Sequence, residues 1–194
     1  MRMMFLAAVA AAVPAALAGQ TTQTMLAAQA CTHRGTEAAI ARRPSPLDSV
    51  QLTVDGASIK VCYGRPSARG RVMVGEHEPF GQPWRLGANE PTRLFLPFAA
   101  EVAGVRVEPG EYSLYVVPQR TSWEVHVNKA VERWGIPIND TVQAQDVGKG
   151  TVRVETLAEP VEKLTLSLVA DSGGTALVVE WEKNRVRIPI RKLG

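Results

Sequence analysis

From Val50 to Ile190 the chain is built of short runs in which apolar and polar residues alternate. Val50, Leu52 and Val54 form the first run, and Ile59, Val61 and Tyr63 the second, with Lys60 and Cys62 on its other face. Asp55-Gly56 lies between them, and both residues tolerate positive φ, which signals a hairpin turn. Leu94, Leu96 and Phe98 follow, then Val105 and Val107, which lead into a Pro109-Gly110 turn. Tyr112, Leu114 and Val116 alternate until Pro118, and Trp123, Val125 and Val127 alternate with Glu124, His126 and Asn128. The last third adds Val152 and Val154, then Leu164, Leu166 and Leu168, then Leu177, Val179 and Trp181, then Val186, Ile188 and Ile190. Asp171 to Gly174 reads as a turn, and Pro189 predicts an edge or strand end because it has no N–H to donate. Helical pattern is confined to Thr36–Arg43, stopped by Pro44 and Pro46, and to a single turn over Lys129–Trp134, stopped by Gly135 and Pro137. Asn139 to Gly150 reads as polar and irregular. The expectation is an all-β domain: an antiparallel two-sheet β-sandwich of about nine or ten strands. A parallel sheet would need crossover helices that this pattern does not supply.

One segment breaks the alternation. Tyr63 to Arg93 holds five arginines (Arg65, Arg69, Arg71, Arg85 and Arg93) among glycines and prolines. A long irregular segment inside a compact domain is usually functional or disordered. Val72, Val74, Phe80 and Trp84 give it apolar anchors, which argues for order.

The stretch also carries a resemblance. Tyr63-Gly64-Arg65-Pro66-Ser67-Ala68-Arg69-Gly70-Arg71, then Pro79-Phe80-Gly81 and Trp84-Arg85-Leu86-Gly87-Ala88-Asn89-Glu90, resemble the signature of the bacterial family called domain of unknown function 2911. Pro109-Gly110-Glu111-Tyr112-Ser113-Leu114-Tyr115 and Trp123-Glu124-Val125 fit the same pattern, so the resemblance runs from about Ser49 to Ile190. It implies an exported, mostly β domain and transfers no activity. The family often has an aliphatic pair and a tyrosine before the glycine where this chain has Glu78-Pro79-Phe80-Gly81.

The N-terminus changes the picture of the compartment. Arg2, the apolar run Met3–Ala16 and the small-x-small triplet Ala16-Leu17-Ala18 predict a signal peptide over residues 1–18. The run is short for a bilayer span, so no transmembrane segment is expected after cleavage. Residues 19–48 then read as a tail or linker, and 49–194 as the sandwich domain. Export, to the periplasm or beyond, makes a Cys31–Cys62 disulfide possible. Two free thiols, or lipidation of Cys31, are the alternatives. The net charge is +3, and losing the leader removes Arg2 and no acid, so it becomes +2. That is too weak to argue for nucleic acid.

Candidate chemistry is sparse. Glu76-His77-Glu78 has ligand-type side chains, but neighbours on a strand point to opposite faces, and a solvated loop tip is the expected outcome. His126 reads as a surface residue. Ser67 lacks the G-x-S-x-G elbow, and Cys62 beside Arg65 could be a thiolate only if reduced. The expectation is no metal and no cofactor. Arginine forks suit carboxylates and phosphates, so Tyr63, Arg65, Arg69, Arg71, Trp84, Arg85, Asn89 and Glu90 form the candidate ligand-binding set. The competing reading makes them a charged network, centred on Arg65, Arg85 and Glu90, that folds the stretch onto a sheet end. The functional expectation is an exported, non-enzymatic binding or envelope-associated module. Its partner would be an anionic small molecule, a glycan or an envelope protein. The alternative is a hydrolase-like enzyme using Glu90 with Arg65 and Arg85.

Overall fold

The computed structural model describes residues 31, 32 and 34–194. The predicted leader lies outside the described residues. A short helix, α1 (Glu37–Ala41), precedes β1 (Leu47–Val54) and β2 (Ala57–Gly64). After the irregular stretch come β3 (Thr92–Leu96), β4 (Ala100–Val102), β5 (Val105–Val107), β6 (Gly110–Pro118) and β7 (Ser122–Asn128). A second short helix, α2 (Asp140–Gln143), leads to β8 (Asp146–Asp171) and β9 (Gly174–Lys192).

The all-β, antiparallel expectation holds. The separation into two sheets does not: all nine strands are hydrogen-bonded in one sheet, ordered β1-β2-β3-β6-β7-β8-β9-β4-β5. The reason is β8. It pairs with β7 up to Ser122↔Arg153, and from Val154↔Val186 onward it pairs with β9. The β1–β2 hairpin turns as read, with Asp55 and Gly56 both at positive φ.

The long strands are not straight. A side chain placed on Gly174 would meet the Ile190 carbonyl oxygen at 3.1 Å and the Arg191 Cα at 3.5 Å. In a straight strand those residues would lie roughly 50–60 Å apart. β9 therefore doubles back, and it does so at Glu182, whose φ is 51°. Arg185 ion-pairs with Glu180 across this fold at 2.5 Å. β8 wraps the same tip, with register shifts between Thr156 and Thr165.

The curved sheet encloses one core drawn from β2 through β9. At its centre Trp84 stacks on Trp181 (ring centroids 5.4 Å apart) and meets Trp123 edge-on (5.6 Å). The β4–β5 turn presses on β8 so closely that a Cβ at Gly150 would lie 1.7 Å from the Ala103 carbonyl oxygen.

Two local expectations are corrected. Lys129–Trp134 is not helical. Asn128 Oδ1 accepts from the Ala130 N–H, and Arg133 donates to the carbonyls of Ala130, Trp134 and Gly135, so side chains replace helical bonds. Asn139–Gly150 is not irregular: Asn139 caps α2, and β8 starts at Asp146. The helical turn expected within Thr36–Arg43 is α1, and Thr36 caps it, its side chain accepting from the Ala39 N–H.

On the face turned away from the core, Cys62, Arg93, Ser113, Asn128 and Asp146 form one row across five strands. Arg93, Ser113 and Asn128 are nonetheless buried. The N-terminal tail and the β7–β8 connection bond to this row and help cover it.

Candidate anion-binding site

The tail is fastened to that outer face at several points. Cys31 is bonded to Cys62 with their Cα atoms 5.7 Å apart, inside the usual range for a bridge. Arg93 donates to Thr32 Oγ1 and ion-pairs with Glu111. Glu90 takes the Arg34 N–H at 2.7 Å and Arg43 Nη1 at 2.8 and 2.9 Å, so one carboxylate grips the chain on both sides of α1. Burial alone would raise the Glu90 carboxyl, but the Arg34 amide and the Arg43 guanidinium outweigh it and hold it below the usual carboxylate value. Asn89, at φ 64°, adds a bond from Nδ2 to the Ser45 carbonyl.

Most of the sequence-predicted set is consumed in holding the stretch down. Tyr63 is buried, takes the Leu166 N–H at 3.2 Å, and has its phenol raised by that burial. Arg65 donates to the Leu164 carbonyl, Thr165 Oγ1 and Asp48 Oδ2, tying β2 to β8 and β1. The Arg69 N–H donates to Glu162, while its guanidinium reaches the Pro44 carbonyl. Arg71 donates back to the carbonyls of Ser67 and Ala68. Trp84 is a core residue. Among the described residues Arg65, Arg85 and Glu90 share no hydrogen-bonded network. Arg65 belongs to the Asp48–Thr165 cluster and Glu90 to the tail clamp.

Arg85 is different. Among the described residues its guanidinium makes no hydrogen bond or ion pair, and its Nε is buried without a partner. Its stem is packed against Gly135, where a Cβ would lie 2.3 Å from Arg85 Cδ. Burial lowers its pKa, and Glu78 opposes that shift from a distance too great for an ion pair. Arg133 stands close enough to repel it, is itself lowered chiefly by burial, and has a buried Nη2 with no partner. Leaving a buried donor unmade costs about 1–3 kcal/mol, more when it is charged. Two neighbouring guanidiniums, each with such a donor, therefore form a standing demand for negative charge. Arg133 also lines a cavity of about 230 Å³ whose other walls include Arg34, Arg93, Glu90 and Glu132. Glu90 is paired with Arg43 and Arg93 with Glu111, while the exposed Glu132 is reached by Arg34 at 3.3 Å and by Arg93 at 3.7 Å.

Several site residues escaped the sequence reading. Glu78, expected at a solvated tip, is half-buried, and burial pushes its carboxyl up to about 7 against the pull of Arg85. His126, expected at the surface, is buried. Its ring nitrogens lie 2.8 Å from Asp146 and 2.8 Å from Glu124, and it stacks on Tyr115, whose hydroxyl donates to Asp146. Arg133 carried no signal beyond its place in a short apolar-flanked loop. Among the described residues no group of three or more His, Cys, Asp or Glu side chains could hold a metal ion, and no helix is long and apolar enough to cross a membrane.

No curated protein and no solved structure matches the chain. Residues 45–190, most of the chain, match the family described as protein of unknown function (DUF2911), and the protein belongs to that family.

Proposed function

We propose that this is an exported, non-enzymatic binding module that holds a small anion between Arg133 and Arg85, entered from the cavity beside Arg133. The observation that carries the reading is the pair of buried, unpartnered guanidinium donors in a fold that otherwise occupies its arginines within the stretch. A carboxylate, phosphate or sulfate group matches such donors by geometry as well as charge. Export is supported by the Cys31–Cys62 bridge, since disulfides persist in oxidising compartments. In this reading the curved sheet works as two layers, a sandwich joined through β8, with the tail-covered outer layer carrying the site.

The test is Arg85→Met, which keeps the stem against Gly135 and removes the charge. Thermal unfolding is followed while sulfate, phosphate and citrate are each titrated at fixed ionic strength. An anion at ten times its Kd stabilises the wild type by about 1.4 kcal/mol, or roughly 3–5 °C for a domain of this size. Arg85→Met loses that response; without anion it gives up no hydrogen bond and only the longer-range attraction of Glu78. Equal responses in the two proteins, or none from any of the three anions, would overturn the proposal.

A further inference from the structure

A second concave surface lies outside the arginine-rich stretch, where β8 leaves β7 for β9. It has a volume of about 720 Å³ and is lined by Arg120, Thr121, Ser122, Thr151, Arg153 and Thr156 around Val154. That volume lies within the range of ligand sites. We propose that this groove binds an acidic polysaccharide chain.

Charge is the first argument. Among the described residues neither the Arg120 nor the Arg153 guanidinium makes a hydrogen bond or ion pair with the protein, and no carboxylate lines the groove. The nearest acids along β7 and β8 are engaged elsewhere. Glu124 pairs with Lys149 and His126, and Glu155 lies 3.7 and 3.9 Å from Arg187 and Arg185. The groove therefore presents two uncompensated positive charges.

The lining chemistry is the second argument. Four hydroxyl side chains lie among the arginines, and a hydroxyl both donates and accepts. That suits a ligand that alternates carboxylates with hydroxyls, as a chain of uronic acids does. An acidic peptide would offer carboxylates and amides but few hydroxyls.

Rigidity is the third. Ser122 is registered opposite Arg153 and Glu124 opposite Thr151, so Ser122, Thr151 and Arg153 share one sheet face with Glu124, whose carboxylate is held by Lys149 and His126. The Val154 N–H bonds the Thr121 carbonyl at 3.0 Å, closing the corner. Arg120 rests over the Phe80 ring, 5.1 Å from its centroid, which restrains its guanidinium before any ligand arrives. Less ordering of Arg120 then remains for binding to bring about.

The experiment is affinity electrophoresis and titration calorimetry with polygalacturonate, using dextran, polyglutamate and single-stranded DNA as comparison polymers. The wild type is retained by polygalacturonate and not by dextran, and retention weakens as salt rises. The double variant Arg120→Ser/Arg153→Ser loses at least tenfold in affinity, with a melting temperature within about 4 °C of the wild type for the lost Phe80 contact. Thr151→Ala/Thr156→Ala loses severalfold while keeping both charges. Arg85→Met binds polygalacturonate as the wild type does, which separates this groove from the small-anion site. No retention, equal binding by the Arg120/Arg153 variant, or polyglutamate or DNA bound within twofold of polygalacturonate would each overturn the assignment.

Discussion

Glu90→Gln tests the tail clamp most directly. The Glu90 side chain is 6% exposed and that of Arg43 12%, which places the pair in the buried rather than the surface regime. A surface pair would contribute about 0–1 kcal/mol. Breaking a buried pair by removing one partner costs about 3–5 kcal/mol. Glutamine keeps one acceptor oxygen, but its amide turns a donor toward Arg43 or the Arg34 N–H, where only an acceptor fits. The expected loss is about 3 kcal/mol, read as a fall of roughly 6–12 °C in melting temperature. Because the folded Glu90 carboxyl sits below its ordinary value, its contribution is present above the unfolded pKa of about 4.5. That contribution is lost as pH falls through the folded pKa. The gap between wild type and Glu90→Gln is therefore full at pH 7 and closes in acid. A double-mutant cycle with Arg43→Met should return a coupling of about 1.5 kcal/mol or more. A melting fall under about 3 °C at pH 7, equivalent to roughly 1 kcal/mol, would refute the clamp.

Two further outcomes follow. Replacing Cys31 and Cys62 together by serine opens a bridge spanning 31 residues and costs about 3–4 kcal/mol in the chain-entropy account. Denaturant unfolding should show that loss together with faster proteolysis between residues 31 and 46, and unchanged proteolysis would contradict the fastening. Glu78, raised to about 7, stabilises the fold when protonated, so its contribution is full below about pH 4.5 and is lost as pH rises through 7. Glu78→Gln should therefore match the wild type at pH 4.5 and exceed it at pH 8 by about 1 kcal/mol, once partial exposure is allowed for. A variant less stable than wild type at pH 8 would count against a destabilising carboxylate there.

The strand content was legible because each run shows period-two alternation that only a half-buried strand explains. What alternation could not show is connection. The runs at Val152–Val154 and Leu164–Leu168 are one strand, and so are those at Leu177–Trp181 and Val186–Ile190. The fold at Glu182 has no Gly or Pro to announce it, since Glu182 itself adopts positive φ. Its carboxylate takes the N–H groups of Met73 and Val74, a contact across more than a hundred residues that no local pattern records. The three residues of β4 are too few to give a period. The arginine-rich stretch was correctly marked as ordered, but residue type could not sort its arginines. Arg65 and Arg71 differ from Arg85 only in whether a carbonyl or carboxylate stands within reach, and those acceptors come from β1, β8 and the loop itself. Arg34 and Arg43 were passed over because their segment read as a tail or linker.

The outer face frames the meaning of that sorting. An antiparallel sheet can leave one face to water, and the Cys62–Arg93–Ser113–Asn128–Asp146 row is polar enough to have done so. Covering it instead takes charges out of water, which seldom adds stability beyond what apolar residues would supply. What the charges do add is position. Glu90 fixes the chain on both sides of α1, Cys62 fixes Cys31, and Arg93 fixes Thr32. Asp146 gathers Tyr115, His126 and Asn128 under the same cover. Four buried side-chain atoms among the described residues lack a partner, Ser113 Oγ, Trp123 Nε1, Arg85 Nε and Arg133 Nη2, and only the last two belong to charged groups. Replacing Arg85 with an apolar residue of similar length gives up no hydrogen bond and removes a repulsion with Arg133, at the loss of the attraction to Glu78. Glu78 answers part of that positive charge from a distance, and the anion proposed above would answer the rest.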